Sequence, residues 1–179
     1  MNKNKQINWE KNMLVSKSYG DQCRAMHKNH QNWGAEGERF VPLVQLMMEK
    51  HDCKTVLDYG CGKGTFTRKL GFGTNYDPNM PEHDALPEAH DLVLCNDVME
   101  HIEPELLDNV LSHLRDVTKK VAIIGIATKY SVLYNLPDGR NAHLIVENAD
   151  WWNKKLNDYF SLKEISKNKK EVVFEATPK

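Results

Sequence analysis

The chain has 179 residues, 24 of them Lys or Arg and 25 Asp or Glu, for a formal net charge of −1. That length suits one domain with a core that needs neither disulfides nor a structural metal. No apolar run approaches the roughly 18–20 residues of a membrane helix, and the near-neutral balance argues against a duplex-DNA binder, which carries a strong basic excess.

The first residues, MNKNKQINWEKN, hold no apolar core of a secretory signal. Residues 1–35 are polar and mixed, with Trp9, Tyr19, Met26 and Trp33 scattered through them. They read as a helical cap or lid of one or two short helices, set before a domain over 36–179. His27 and His30 share a face if that cap is helical. Glu38 to Lys50 reads as a helix, with Phe40, Val44, Met47 and Met48 on one face. Pro42 is tolerated there only in the first turn. Lys54 to Asp58 is a short β-branched strand, Tyr59 to Gly64 a glycine turn, and Thr65 to Leu70 a helix. A second strand ends at Asn75-Tyr76-Asp77, stopped by Pro78. Asp91 to Cys95 is nearly all apolar, as a strand buried on both faces should be. Pro104 to Thr118 is an amphipathic helix with Leu106, Leu107, Val110, Leu111 and Leu114 inward, and Pro104 suits its first turn. Val121 to Ala127 is a further buried strand. Asp150 to Tyr159 is helical, capped by Asn148 or Asp150. Ser161–Ser166 and Glu171–Thr177 close the chain as two strands.

This alternation predicts an α/β fold: a Rossmann-like open, mostly parallel sheet, helices on both faces, and one antiparallel strand near the C-terminus. Such sheets bind ligands at the carboxyl ends of their strands. The cysteines Cys23, Cys53, Cys61 and Cys95 form no C-x-x-C pair. Reduced thiols in the cytoplasm are expected.

Gly60, Gly62 and Gly64 form G-x-G-x-G directly after a strand. The third glycine comes one residue too early for the dinucleotide fingerprint, and no Gly-Lys-Ser/Thr follows to make a P-loop. Glycines there let a ligand lie close to the chain; an ordinary turn with incidental glycines is the plainer alternative. Asp58, two residues before them, repels a pyrophosphate and welcomes an ammonium group. Asp77, at the end of the next strand, can accept both hydroxyls of a ribose. A ligand with a ribose and a positive charge meets this pattern, and S-adenosylmethionine is such a ligand.

Leu57-Asp58-Tyr59-Gly60-Cys61-Gly62-Lys63-Gly64 resembles the first motif of class I S-adenosylmethionine-dependent methyltransferases. Tyr76-Asp77-Pro78 is similar to their second motif. Asp84-Ala85-Leu86-Pro87 and the run from His90 to His101 resemble the third and fourth. Leu136 to His143, with Trp151-Trp152, resembles a small subgroup seen often in phage genomes, which implies a host cytoplasm. The resemblance covers residues 38–177. It implies S-adenosylmethionine as cofactor and S-adenosylhomocysteine as product. Asp58, Gly60, Cys61, Gly62 and Gly64 would hold the methionine part, and Asp77 with Pro78 the ribose. Asp84 and Ala85 would flank the adenine, and Asn96 would approach the methionine carboxylate or the sulfonium. One departure stands out. The family places a helix and most of a strand between Asp77 and Asp84, where this chain has six residues. No such unit fits, so a third strand is expected to be missing or shortened.

A sulfonium already activates its methyl group, so the protein must hold the nucleophile in line and exclude water. A base is needed only for a poorly acidic nucleophile. Asp97, Glu100 and His101 follow one strand end, and Asp138, Arg140, Asn141 and His143 lie in the loop after the next. Polar loops at that edge carry function. His143 is the first candidate for general base or substrate contact and His101 the second; a histidine bonded to the loop backbone is the structural alternative. Arg140 pairs either an acidic substrate or Asp138. No metal is expected in the leading reading. Glu100, His101 and His143 nonetheless form a possible ligand set, similar to the Glu-x-x-Glu-His and later His of small-RNA 2′-O-methyltransferases, with Asp97 in the first acidic place. One of Trp151 and Trp152 packs in the core, and the other faces the pocket or a partner. The leading expectation is methyl transfer to O or N of a small-molecule or sugar-like acceptor, with no membrane partner. The alternatives are an RNA or nucleoside methyltransferase, with or without a metal, and a cofactor-binding protein without transfer activity. Glycine spacing and Asp58 disfavour a nicotinamide-dependent oxidoreductase.

Overall fold

The computed structural model describes residues 13–179. Trp9 and the start of the expected cap lie outside them. Eleven longer elements follow in chain order: α1 (Lys17–Asn29), α2 (Val41–Lys50), β1 (Val56–Tyr59), α3 (Thr65–Leu70), β2 (Thr74–Tyr76), β3 (His90–Asn96), α4 (Leu107–Asp116), β4 (Thr118–Ala127), α5 (Ala149–Leu156), β5 (Phe160–Lys167) and β6 (Glu171–Pro178). They build one six-stranded sheet in the order β2-β1-β3-β4-β6-β5. Neighbours among β2, β1, β3 and β4 are parallel, and β6 runs antiparallel to both β4 and β5. The expected open sheet with one antiparallel strand is what forms.

Side chains alternate across the central strands, as a period of two requires. Leu57, Val93, Ile124 and Ile126 face α4 and α5, where Leu111, Leu114 and Trp152 complete one core. Val56, Leu92, Leu94 and Ile123 face the opposite way onto Phe40, Val44, Met47 and Phe66 from α2, α3 and the short turn before α2. Helices therefore cover both faces. Leu111 is fully buried, so Leu111→Ala should lower unfolding free energy by about 2–5 kcal/mol. Urea unfolding checks this, and a loss below about 1 kcal/mol would mean that the site collapses around the change.

Local chemistry sets the helix ends. The Ser16 hydroxyl accepts from Tyr19 N at 3.2 Å to start α1. Asn148, rather than Asp150, caps α5, accepting from the backbone N–H groups of Asp150 and Trp151. α3 lies between Gly64 and Gly71, both in the left-handed region. α4 stops at Asp116 and β4 begins at Thr118, three residues before the apolar run. Thr118 in that polar stretch pairs with His90 of β3 in the parallel ladder, so the strand starts before its apolar run.

Residues 77–89 form only turns and coil. Asp77 N donates to His83 O at 2.9 Å and His83 N to Met80 O at 2.8 Å. The six residues curl back on Asp77, and β2 is left as the edge strand. Trp152 is fully buried while Trp151 is 36% exposed. All four cysteines are free and buried. Among the described residues no helix is long and apolar enough to cross a membrane.

Candidate active site

A cavity of about 440 Å³ opens at the carboxyl ends of β1, β2, β3 and β4. Its floor is Asp58 to Gly62, Asp77 to Asn79 and Asn96 to Val98. Its roof comes from α1 and the turn after it, and its far wall from residues 129–134 and His143.

The glycine turn is shaped by the protein's own packing. Gly60 has φ 78°, and a Cβ there would strike Val98. Gly62 has φ 49°, and a Cβ would lie 2.5 Å from the Gly34 carbonyl oxygen. That carbonyl accepts from Lys63 N at 3.0 Å. The space read from sequence as room for a ligand is filled at these two positions by protein. Gly60, Cys61 and Gly62 still line the cavity, but Gly64 faces a separate groove beside Asn75 and His83.

Asp58 is 6% exposed. Burial first, then the charge of Asp77, pushes its carboxyl up to about 7. Among the described residues no cation pairs with it, although it borders the cavity. A buried carboxylate without a partner is costly, and a positively charged ligand group would relieve that cost. Asp77 is held on both oxygens: Oδ2 accepts from Gly62 N at 3.0 Å and Oδ1 from Asn79 N at 2.9 Å. Its remaining lone pairs stay available at the wall. Pro78 and Asn79 form the wall beside it. Asp84 and Ala85, expected there, stand exposed and off the cavity, because the connection curls back on Asp77 before it reaches them.

Asn96 donates through Nδ2 to Asp97 Oδ2 at 2.9 Å. Asp97 sits in the left-handed region at φ 52°, a conformation that Asp tolerates better than most residues. Arg39 meets Asp97 Oδ2 at 3.4 Å and also pairs with Glu171, at the start of β6. Sequence reading missed Arg39 and Glu171. They lie 132 residues apart, and no local pattern links them.

Two histidines are oriented by backbone carbonyls. His101 Nδ1 bonds Ala142 O at 2.8 Å, and His143 Nδ1 bonds Lys129 O at 2.6 Å. A carbonyl only accepts, so each Nδ1 carries the hydrogen and each neutral ring keeps a lone pair on Nε2. Their rings lie edge to face with centroids 4.8 Å apart. Burial, and next His143, holds His101 down to about 3; burial also lowers His143. Beside them Glu100 is fully buried. Its Oε1 accepts from Ala127 N at 2.9 Å, and its Oε2 has no partner among the described residues. Burial drives its carboxyl well above the usual range. One ligand atom each from Glu100, His101 and His143 falls within 4.8 Å of the others. Asp97 turns instead to Arg39 and Asn96.

The rest of the 138–143 loop supports this corner. Arg140 pairs with Asp138 at 2.8 Å, and both stay off the cavity wall. Asn141 Oδ1 accepts from Ser131 N and His143 N, each at 3.0 Å. The roof is tied down as well. Tyr19 OH donates to His101 O at 2.5 Å, and Ser16 N to Glu103 Oε2 at 2.8 Å. Lys63 Nζ reaches His30 O and Gln31 O at 2.7 Å. His27 lines the cavity, whereas His30 is exposed against Tyr134. Trp33 meets His101 and Tyr134 with ring centroids at 5.1 Å. Tyr134 has no local signature in the sequence; it enters the wall because Asn141 and Ser131 pin its loop.

Sheet order and crossover pattern make this a Rossmann-like α/β fold of the methyltransferase type. The DhpI–S-adenosylhomocysteine complex shares it with a TM-score of 0.66 at 15% identity, over 92% of this chain and 98% of that one. The Burkholderia thailandensis 1,6-didemethyltoxoflavin-N1-methyltransferase, solved with 1,6-didemethyltoxoflavin and S-adenosylhomocysteine, gives 0.62 at 15% identity, over 93% and 91%. The methyltransferase domain of bacterial CtHen1-CN gives 0.57 at 16% identity, over 80% and 99%. No family model and no curated protein matches the chain.

Proposed function

We propose that this chain is an S-adenosylmethionine-dependent methyltransferase acting on O or N of a small acceptor. The observation that carries this reading is the unpaired buried carboxylate of Asp58 beside the doubly anchored Asp77. A ligand joining an ammonium group to a ribose satisfies both. Solved proteins of this fold hold S-adenosylhomocysteine. When bound, S-adenosylmethionine supplies a methyl group made electrophilic by its sulfonium. Asp58 binds the ammonium group, with Gly60, Cys61 and Gly62 alongside. Asp77 accepts from the ribose hydroxyls, and Pro78 and Asn79 border them. Asn96, at the end of β3, would approach the methionine carboxylate or the sulfonium. Residues 13–35 act as a roof that keeps water from the reacting centre. His143, neutral at pH 7 with a free Nε2, takes the acceptor's proton, and His101 backs it. Calorimetry should show binding of S-adenosylmethionine and none of NAD. A preference for NAD would sink the reading, and binding without turnover on any acceptor would leave a cofactor-binding protein.

A second reading adds a metal. The orphaned Glu100 Oε2 and the two Nε2 lone pairs favour it. One carboxylate and two imidazoles suit a divalent ion of borderline softness, and carbonyls orient both imidazoles from behind, as ligating histidines require. Glu100, His101 and His143 would hold the ion. The ion would lower the pKa of a bound hydroxyl, which suits a sugar or nucleoside acceptor. Mn²⁺ titrated into chelator-treated protein should then give a saturable heat, lost in Glu100→Gln. No heat, with full turnover in chelator, would exclude the metal.

A further inference from the structure

We infer that the acceptor is a planar, ring-bearing molecule with an anionic group that pairs with Lys129, an inference that rests on the methyltransferase reading above.

Strand order sorts the cavity into lanes. Asp77 follows β2, Asp58 and the glycines close β1, and Asn96 ends β3. A ligand whose ribose meets Asp77 and whose ammonium meets Asp58 occupies those three lanes. The next lane belongs to β4, whose following residues are Thr128, Lys129 and Tyr130. The Lys129 carbonyl accepts from His143, so the lysine stands next to the candidate base. The acceptor lane therefore begins where Lys129 sits.

Among the described residues Lys129 is the one Lys or Arg on the cavity wall, and it is half-buried. Among the described residues no carboxylate lies within ion-pairing distance of it. The nearby wall acids have other partners. Asp97 is taken by Arg39 and Asn96, and Glu103 by Ser16 N. The charge of Lys129 is felt by His143. A lysine beside a ligand cavity with no counter-charge selects for an anion.

The shape of the lane supplies the ring. Trp33, Tyr134 and His143 present rigid aromatic surfaces, which favour stacked or edge-on planar partners. Beyond them Tyr130, Val132 and Leu133 are 66%, 79% and 77% exposed at the rim. The cavity of about 440 Å³ lies low in the range of about 300–1,000 Å³ for small-molecule sites. With a nucleoside-bearing cofactor in three lanes, one end of an acceptor fits inside. The rest of an apolar ring rests on the rim.

The test uses the full chain, treated with chelator so that no metal can hold the anion, and saturated with S-adenosylhomocysteine. It is titrated by calorimetry with 3-hydroxybenzoate, 3-hydroxybenzamide, 3-hydroxybenzylamine and 3-hydroxypropionate. The benzoate should bind about tenfold tighter than the amide or the amine, as one charged pair predicts. The ringless propionate should show no saturable binding. Lys129→Gln should bring the benzoate to the level of the amide, Lys129→Arg should keep the preference, and both should bind S-adenosylhomocysteine as the parent does. Equal binding of benzoate and amide, a preference for the amine, or no binding by any ring would overturn the inference. So would an equal loss of S-adenosylhomocysteine affinity in Lys129→Gln, which would put Lys129 on the cofactor carboxylate. Failure of the parent chain to bind S-adenosylhomocysteine at all would overturn the methyltransferase reading itself.

Discussion

Asp58→Asn should weaken S-adenosylmethionine binding by about 3–5 kcal/mol, the scale of breaking a buried charge pair on one side. The same change should stabilise the ligand-free protein at neutral pH. The Asp58 carboxyl titrates near 7 in the fold against about 3.9 in an unfolded chain. An acid with a raised folded pKa binds its proton more tightly when folded. Its favourable contribution is complete below about pH 4 and is lost as pH rises toward 7. The difference of about 3 pKa units corresponds to roughly 4 kcal/mol. Denaturant unfolding of the ligand-free chain should therefore show a decline with rising pH that is shallower in Asp58→Asn, the remainder coming from the raised carboxyls of Glu100 and Asp97. A ligand ammonium pulls the carboxyl back to its charged form, so binding at pH 6 should release a proton. Calorimetry in buffers of different ionisation enthalpy reads that proton directly. No proton release, or unchanged affinity in Asp58→Asn, would remove the ammonium from Asp58.

His143→Ala should lower turnover by about 10²–10⁴, the usual worth of a positioned general base, and leave S-adenosylhomocysteine affinity within about twofold, since the loss falls on the transition state. Burial holds His143 below the ordinary histidine value. The neutral form is the active one, so the rate should fall only as pH drops through that lowered value. The acid limb of the kcat profile should lie below pH 6.5 and vanish in the variant. A limb that persists unchanged would assign it to another group. His143→Gln separates base from scaffold: it can still bond the Lys129 carbonyl, so a merely structural histidine would be rescued and a base would not.

Much of the fold was legible because its signals are local. Short, nearly continuous apolar runs marked β1, β3 and β4, and helical spacing marked α2 and α4. The element ends were less legible. β4 begins in a polar stretch because Thr118 pairs with His90 across the ladder, a contact that no window of sequence contains. The short connection after Asp77 was read correctly as too small for a strand and helix, a matter of chain length alone. Where it would leave Asp84 and Ala85 was not readable, since that depends on the turn closing on Asp77.

The candidate site divides along the same line. Sequence alone determined the placement of Asp58 and Asp77 at neighbouring strand ends, because strand, turn and strand are local and a parallel sheet brings successive strand ends to one edge. Only tertiary structure decided that Glu100 and His101 meet His143, that Gly62 is a glycine for Gly34, and that Arg39 reaches Glu171. Among the described residues it also left Lys129 without a counter-charge at the end of β4. These residues stand far apart along the chain or in irregular loops. There no periodicity sets side-chain direction, and the contacts exist only once the whole sheet has positioned its loops.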